Sequence, residues 1–291
     1  QSPSGSGYAL ENRTVLTRVM PSLFRDAHVH RLSLFFRNIR HALATLSTTT
    51  DLPRIVFLTP GAFNEAYFEH AYLANYLGYP LVQGSDLSVR DGNVWLKALD
   101  GLRKVDVIIR RVDDDFCDPV AFRNDSNLGV PGLLEVARAG RVAIANPLGS
   151  GILESPVLAK YLPAAAKFFL GRDLRLNSVP TWWCGEKDDL AYVKANFNKL
   201  LIRRTSRSAG QHSLFVSSLT AEKQKSLMAE ILANPMDFVA QEAVQPSQAP
   251  VLTNDQLVSR PVVMRGSLSA MRLPFTITSS PNFLLTELTI S

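Results

Sequence analysis

The densest chemistry in this chain is Arg110-Arg111-Val112-Asp113-Asp114-Asp115, cations followed by carboxylates, directly behind the apolar run Val105 to Ile109. Charges of both signs at a strand's carboxyl end suit an anionic substrate together with a cationic amine, or a divalent metal. A solvated loop whose charges pair with one another is the competing reading. A second polar loop, Asn146-Pro147-Leu148-Gly149-Ser150-Gly151, falls between a strand and a helix, where glycine lets backbone amides approach a phosphate. It is neither a Walker loop nor a full G-x-G-x-x-G, and a plain connecting turn accounts for it as well. His70 shares a helix face with large apolar side chains and reads as a satisfied core histidine, while His28, His30, His41 and His212 have no partner at metal-ligand spacing. Cys117 and Cys184 read as inert thiols, and the absence of G-x-S-x-G disfavours a serine hydrolase.

These groups need a scaffold, and the hydrophobic periodicity supplies one. Helical spacing covers Glu11 to Phe24 and Arg31 to Ser47, with Gly5 and its neighbours as a flexible end. The run Arg54 to Leu58 predicts a short buried strand. Asn64 to Leu77 predicts a helix stopped at Gly78, and Pro80 to Gln83 a second strand. That is a βαβ unit, and its loop Thr59 to Asn64 lies where open α/β sheets bind ligands. Asp91-Gly92 between Leu87 to Arg90 and Asn93 to Leu96 signals a hairpin. Val105 to Ile109 and Arg141 to Ala145 read as further strands, with a short helix over Pro131 to Gly140 and a helical stretch up to Gly171. From Asp188 onward short helices and strands alternate (Asp188 to Phe197, Lys199 to Arg203, Thr220 to Ala233, Asp237 to Gln241). Strands follow around Pro261 to Met264, Phe275 to Thr278 and Leu284 to Ile290.

With 291 residues, 46% of them hydrophobic and 20% charged, the chain has enough apolar material for a sizeable core, arranged as one large or two modest domains. Two cysteines make no disulfide framework and no C-x-x-C pair, which suits a reducing cytoplasm and disfavours structural zinc. The net charge of +5 favours anionic ligands. Basic clusters such as Arg203-Arg204 are too short to argue for nucleic acid, and no apolar run reaches the ~18 residues of a membrane span. No signal peptide is visible, and the missing initial Met suggests a fragment or a processed chain.

Taken in order, the motifs resemble the circularly permuted type 2 ATP-grasp family, in the branch often fused to an α-helical partner domain. The series runs Ser4-Gly5 to Tyr8, Leu10-Glu11-Asn12-Arg13, Leu58-Thr59-Pro60-Gly61, Tyr67-Phe68-Glu69-His70, Asp106 to Asp115 and Gly129-Val130-Pro131-Gly132. It continues through Ala145 to Gly151, Leu153-Glu154-Ser155-Pro156, Thr181-Trp182-Trp183-Cys184-Gly185 and Phe238-Val239-Ala240-Gln241-Glu242, and covers roughly residues 2 to 265. The resemblance implies an α/β fold, ATP-grasp-like, with a Rossmann-like βαβ substrate domain over 1–150 and an α+β nucleotide-binding lobe, incomplete, over 151–291. It implies a ligase of the glutathionylspermidine synthase type. ATP and magnesium would turn a peptide or amino-acid carboxylate into an acyl phosphate, which an amine attacks to form an amide.

By position, Arg110, Arg111, Asp113, Asp114 and Asp115 would line the acceptor site, and Ser4, Tyr8, Glu11, Asn12 and Arg13 would belong to the same cleft. Gly149 and Gly151 would lie nearby, Gln241-Glu242 would form the hinge that meets adenine, and Arg260 and Arg265 match basic positions. The chain also departs from the pattern. Arg203 stands where active-looking members carry a lysine, the following flap keeps one glycine, Pro156 occupies a second lysine position, and the acidic magnesium segment would precede Gln1. The length therefore looks short for a complete ligase. A catalytically degenerate ATP-grasp-fold binding module is the alternative these departures motivate, and a basic nucleic-acid module is a weaker third.

Overall fold

The computed structural model describes residues 5–47, 50–206, 213–263, 266–271 and 284–290. Two compact units divide the chain: Gln1–Gly149 with Met264–Ser291, and Ser150–Val263.

The first unit opens with α1 (Ser6–Val19), α2 (Pro21–Asp26) and α3 (Ser33–Ala44). The single helix expected over Glu11 to Phe24 is two helices, because Pro21 bars the residue before it from helical geometry and Met20 takes φ −132°. Nor is the segment expected as a flexible end loose from Ser6 onward: α1 begins there, with Ser6 and Gly7 buried, while Pro3 and Ser4 lie outside the described residues. Next come β1 (Ile55–Leu58), α4 (Tyr67–Leu77) and β2 (Leu81–Val82). Asn64, expected within α4, forms a turn before it, its Oδ1 accepting the Ala66 N–H at 3.0 Å. Gly78 ends α4 in the left-handed region at φ 76°.

A meander follows: β3 (Leu87–Arg90), β4 (Asn93–Ala98) and β5 (Gly101–Val105). Positive φ at both Asp91 (49°) and Gly92 (67°) makes the tight turn that the dipeptide signals. The strand expected over Val105 to Ile109 divides at Asp106, whose carboxylate accepts the Arg54 N–H at 2.9 Å, so that β6 (Val107–Arg110) starts beyond it. α5 (Leu133–Arg138) and β7 (Ala143–Ala145) complete the series.

β2, β1, β6 and β7 form one parallel sheet in that order. Every residue of β1 and β6 is buried, as a sheet covered on both faces requires. Side-chain alternation sends Val56, Leu58 and Ile108 into a core with Val94, Val105, Leu133 and Val136 from the meander and α5. It sends Ile55, Phe57, Val107 and Ile109 into a second core with Phe35, Phe36, Leu73 and Leu77 from α3 and α4.

The second unit holds α6 (Leu158–Leu170), β8 (Thr181–Trp183), α7 (Lys187–Asn196), β9 (Leu200–Arg204), β10 (Leu214–Phe215), α8 (Ala221–Ala233) and β11 (Phe238–Glu242). Its sheet runs β10-β9-β11-β8, antiparallel throughout. One face packs Leu200, Ile202 and Ala240 on Val193 of α7 and on Leu227 and Ile231 of α8. A separate hairpin, β12 (Gln248–Thr253) with β13 (Gln256–Pro261), replaces the strand expected around Pro261 to Met264. β14 (Gly266–Met271) and β15 (Leu284–Ile290) form a ribbon, β15 coinciding with the expected strand. The Phe275 to Thr278 strand and Met264 lie outside the described residues.

Two glycines let the loops behind the parallel sheet cross backbone to backbone. A Cβ on Gly129 would stand 2.3 Å from carbonyl atoms of Phe116 and Cys117, and one on Gly84 would stand 2.3 Å from the Gly129 oxygen. Backbone cannot yield as a side-chain tip can. Gly129→Ala is therefore expected to lower the unfolding free energy by about 3 kcal/mol or more, measured by urea denaturation; a loss below about 1 kcal/mol would contradict the crossing.

Candidate functional site

The consecutive arginines at the end of β6 leave on opposite faces of the sheet. Arg110 turns toward the meander side and is wholly committed there. Its Nε donates to the Asn146 carbonyl at 2.8 Å, its Nη1 to the Val112 carbonyl at 2.7 Å and its Nη2 to the Pro147 carbonyl at 3.2 Å, while Asp114 Oδ1 lies 2.8 Å from Nη2. Asn146 supplies that first carbonyl from a left-handed conformation, φ 65°, and returns an Nδ2–H bond to the Arg110 carbonyl at 3.3 Å. Arg110 is thus a strut that ties the end of β6 to the loop behind β7. The Cys117 thiol sits beside it, pushed up to about 11 by burial.

Arg111 turns toward α4 and is only half satisfied. Its guanidinium lies 5.7 Å from the centre of the Phe57 ring, and its Nη2 is 3.7 Å from Glu69 Oε2, an ion pair too long for a hydrogen bond. Among the described residues Nε and Nη2 have no hydrogen-bond partner, although the residue is only 4% exposed. Burial holds the Arg111 pKa below the ordinary arginine value, with the Glu69 charge opposing that shift. Glu69 is itself anchored: its Oε1 accepts the Gly7 N–H at 3.1 Å, and a Cβ on Gly7 would come within 2.7 Å of Glu69 Cγ. Beside them His70 Nδ1 and Thr59 Oγ1 are 2.9 Å apart. Burial first, and Arg111 second, lower the His70 pKa to about 4, so the imidazole is neutral at physiological pH.

These groups wall a cleft of about 290 Å³. The β1–α4 loop gives it Pro60 and Asn64, α4 gives Glu69 and His70, and the segment after β6 gives Arg111 and Asp113. It therefore opens at the carboxyl ends of β1 and β6, the edge where parallel sheets take ligands.

Of the residues expected from the sequence, Arg111 and Asp113 come together here, whereas Arg110 and Asp114 pair behind the sheet edge and Asp115 is exposed. Tyr8, Glu11, Asn12 and Arg13 are not lining residues; their helix reaches the cleft wall through Gly7. Tyr8 stacks on Phe68 at 5.8 Å, Glu11 sits against the Tyr72 hydroxyl, Asn12 is exposed and Arg13 Nε donates to the His30 carbonyl. Gly149 takes φ 85° in open space, and Gly151 lies in a single 3₁₀ turn, Ser150–Glu154. Ser4 and Arg265 lie outside the described residues, as do Arg207 to Gly210 of the flap. Glu69 and His70 are among the lining residues that sequence reasoning left without a site role, with Glu65, Phe116 and Leu128. The signal for Glu69 was a carboxylate at the head of the row Glu69, Leu73, Leu77 on an otherwise apolar helix face.

In the second unit, Arg203 and Gln241 occur at sheet positions alternating with the packed residues, so they belong to the face away from α7 and α8. Arg203 Nη1 donates to Gln241 Oε1 at 3.2 Å, and Gln241 Nε2 to Thr181 Oγ1 at 3.1 Å. Glu242 is exposed at the end of β11, and Arg260 is exposed on β13.

A doubly covered parallel sheet with a charged cleft at its carboxyl edge, followed in the same chain by a helix-backed antiparallel sheet, is an α/β architecture of the ATP-grasp kind. The sequence matches the family described as circularly permuted ATP-grasp type 2 over residues 1–277, and the chain belongs to that family. An uncharacterized protein of Synechocystis is 38% identical over 264 residues, covering 90% of this chain and 55% of that one. Two uncharacterized proteins of Mycobacterium tuberculosis are 38% and 35% identical over 268 and 266 residues, covering 91% of this chain and 30% and 48% of theirs. The chain thus spans about a third to a half of the length of these relatives. D-alanyl-alanine synthetase A of Vibrio cholerae, a solved structure, aligns with a TM-score of 0.35 at 10% identity over 81% of this chain and 72% of that one.

The buried pair yields a stability test. A buried ion pair with unmet donors adds little to folding, and removing one partner strands the other. Arg111→Met is expected to destabilise by about 3 kcal/mol. Arg111→Met with Glu69→Gln, which keeps an acceptor for Gly7, is expected to recover wild-type stability or exceed it; a double variant no better than the single one would show the pair to be a structural asset. The depressed His70 pKa makes a second test, because the unfolded chain binds a proton that the fold refuses. The His70 contribution to stability is complete above pH 6.5 and is lost as pH drops toward about 4. His70→Asn, which can still bond Thr59, is expected to flatten that slope in denaturation curves recorded across the range.

Proposed function

We infer that this chain forms the core of an ATP-dependent carboxylate–amine ligase of the glutathionylspermidine synthase type. The observation that carries the reading is the cleft, where a permanently charged guanidinium and several carboxylates face one small space at the carboxyl edge of the sheet in a protein of the ATP-grasp family. In an amide-forming reaction the first unit would bind and orient the organic substrates: Arg111 for an anionic carboxylate and Asp113 for a cationic amine. His70, neutral and fixed by Thr59, adds a polar wall that brings no charge of its own.

In the second unit Arg203 is half-buried, and Gln241 takes up one of its donors; among the described residues its Nε and Nη2 remain uncommitted, which fits a phosphate contact. When bound, ATP with magnesium supplies the phosphoryl group that activates the carboxylate. The ATP phosphates with one or two carboxylates would hold the magnesium. An associated α-helical domain fits the greater length of the relatives. A cytoplasmic setting, where ATP and magnesium are supplied, agrees with the free buried cysteines. No described helix is long and apolar enough to cross a membrane.

Isothermal calorimetry on the full chain tests the nucleotide half of this reading. ATP with magnesium is expected to bind, with Arg203→Ala weakening it about tenfold or more. No heat and no thermal shift at millimolar ATP would overturn the ligase reading and favour a binding module that keeps the fold without the chemistry.

A further inference from the structure

Arg111 carries an asymmetry that the ligase reading leaves unexplained. Its charge is matched by Glu69 at 3.7 Å, but its hydrogen bonds are not, and the two orphaned donors are Nε and Nη2. In a guanidinium these nitrogens form one edge, the edge that meets a planar carboxylate through two parallel bonds. Leaving both unmet in a residue only 4% exposed is costly. A neutral side chain such as glutamine would have been cheaper to bury, so the edge is held for an acceptor that none of the described residues supplies.

The rest of the wall narrows the choice of ligand. Among the described residues, Glu65, Glu69 and Asp113 line the same cleft against one cation, Arg111. A purely anionic ligand such as phosphate meets net repulsion there, and a purely cationic amine leaves the Arg111 edge unmet. A zwitterion answers both demands. Phe116 and Leu128 add an apolar wall, and about 290 Å³ suits a molecule of around ten heavy atoms.

We propose that this cleft is the site of a free α-amino acid, its carboxylate on the Nε–Nη2 edge of Arg111, its ammonium toward Asp113 and Glu65, and its side chain against Phe116 and Leu128. The occupant is thus the amine partner of the ligation, and in this respect the proposal rests on the ligase reading. Both donors are covered in the structure, so binding includes a swing of the Arg111 side chain away from Glu69 into the cleft, of the rotamer size common at ligand sites. Glu69, anchored by Gly7, stays in place as its counter-charge.

Calorimetry and thermal-shift titration of the full chain without nucleotide separate this proposal from the ATP reading. The probes are glycine and both enantiomers of alanine, leucine and phenylalanine, then the amide of the tightest binder and its deaminated acid, with inorganic phosphate as the simple anion. The amino acid is expected to bind, and the amide and the deaminated acid each to bind about tenfold more weakly or worse. Arg111→Lys, which keeps the charge and loses the edge, is expected to show a similar loss. Asp113→Asn, at an exposed position and with its unfolding curve recorded alongside the wild type's, is expected to weaken the amino acid while leaving the deaminated acid unchanged. Binding of phosphate or the deaminated acid as tightly as the amino acid, or no amino acid bound at high millimolar concentration, would overturn the proposal. So would an Asp113→Asn chain that binds like the wild type. ATP binding without amino-acid binding would leave the ligase reading standing and this one fallen; the converse would do the reverse.

Discussion

A guanidinium does not surrender its proton inside a protein, so each buried arginine must be met by acceptors or left in want of them. This chain buries two in succession. Because neighbours on a strand face opposite ways, one position in the sequence sets two environments. Arg110 is met by three carbonyls and a carboxylate, while Arg111 has a counter-ion and, among the described residues, no hydrogen bond from its Nε–Nη2 edge. The closed face and the open face of the sheet edge are both products of that alternation.

Much of the surrounding architecture serves this arrangement. The parallel register of β1 with β6 brings Leu58 beside Arg110, so the β1–α4 loop and the charged segment emerge at one level. α4 then sets Glu69 and His70 over the Phe57 side, with the bare backbone of Gly7 tight against Glu69. Behind the other face, Asn146 adopts a conformation that few residues tolerate and offers its carbonyl to Arg110. The Gly84 and Gly129 crossing brings Leu128 to the cleft. Rigidity on one side is what allows one unmet group to persist on the other.

The elements nearest the site were the most legible in the sequence, for a physical reason. β1 and β6 are fully buried and read as unbroken apolar runs, α4 has a glycine stop, and Asp91-Gly92 permits little besides a tight hairpin. The polar cluster was visible as chemistry, and alternation alone implies that its arginines part company. Which arginine is met and which is not was not readable, because the deciding atoms are main-chain carbonyls of Asn146 and Pro147, remote in sequence. Glu69 was hidden for a similar reason: its anchor is a backbone N–H 62 residues earlier, in a segment that looks like a loose end. The strand divided at Asp106 and the helix broken at Pro21 are local, and a stricter reading of aspartate and proline finds both.

Each compact unit contains one free cysteine, Cys117 in the first and Cys184 in the second, and both are buried. Burial raises both thiols to about 11, so neither reacts readily while its surroundings are intact. The pair is a set of internal clocks: the rate at which a thiol reagent consumes each one reports how often that unit opens. The Cys117 clock counts openings of the first unit and the Cys184 clock those of the second.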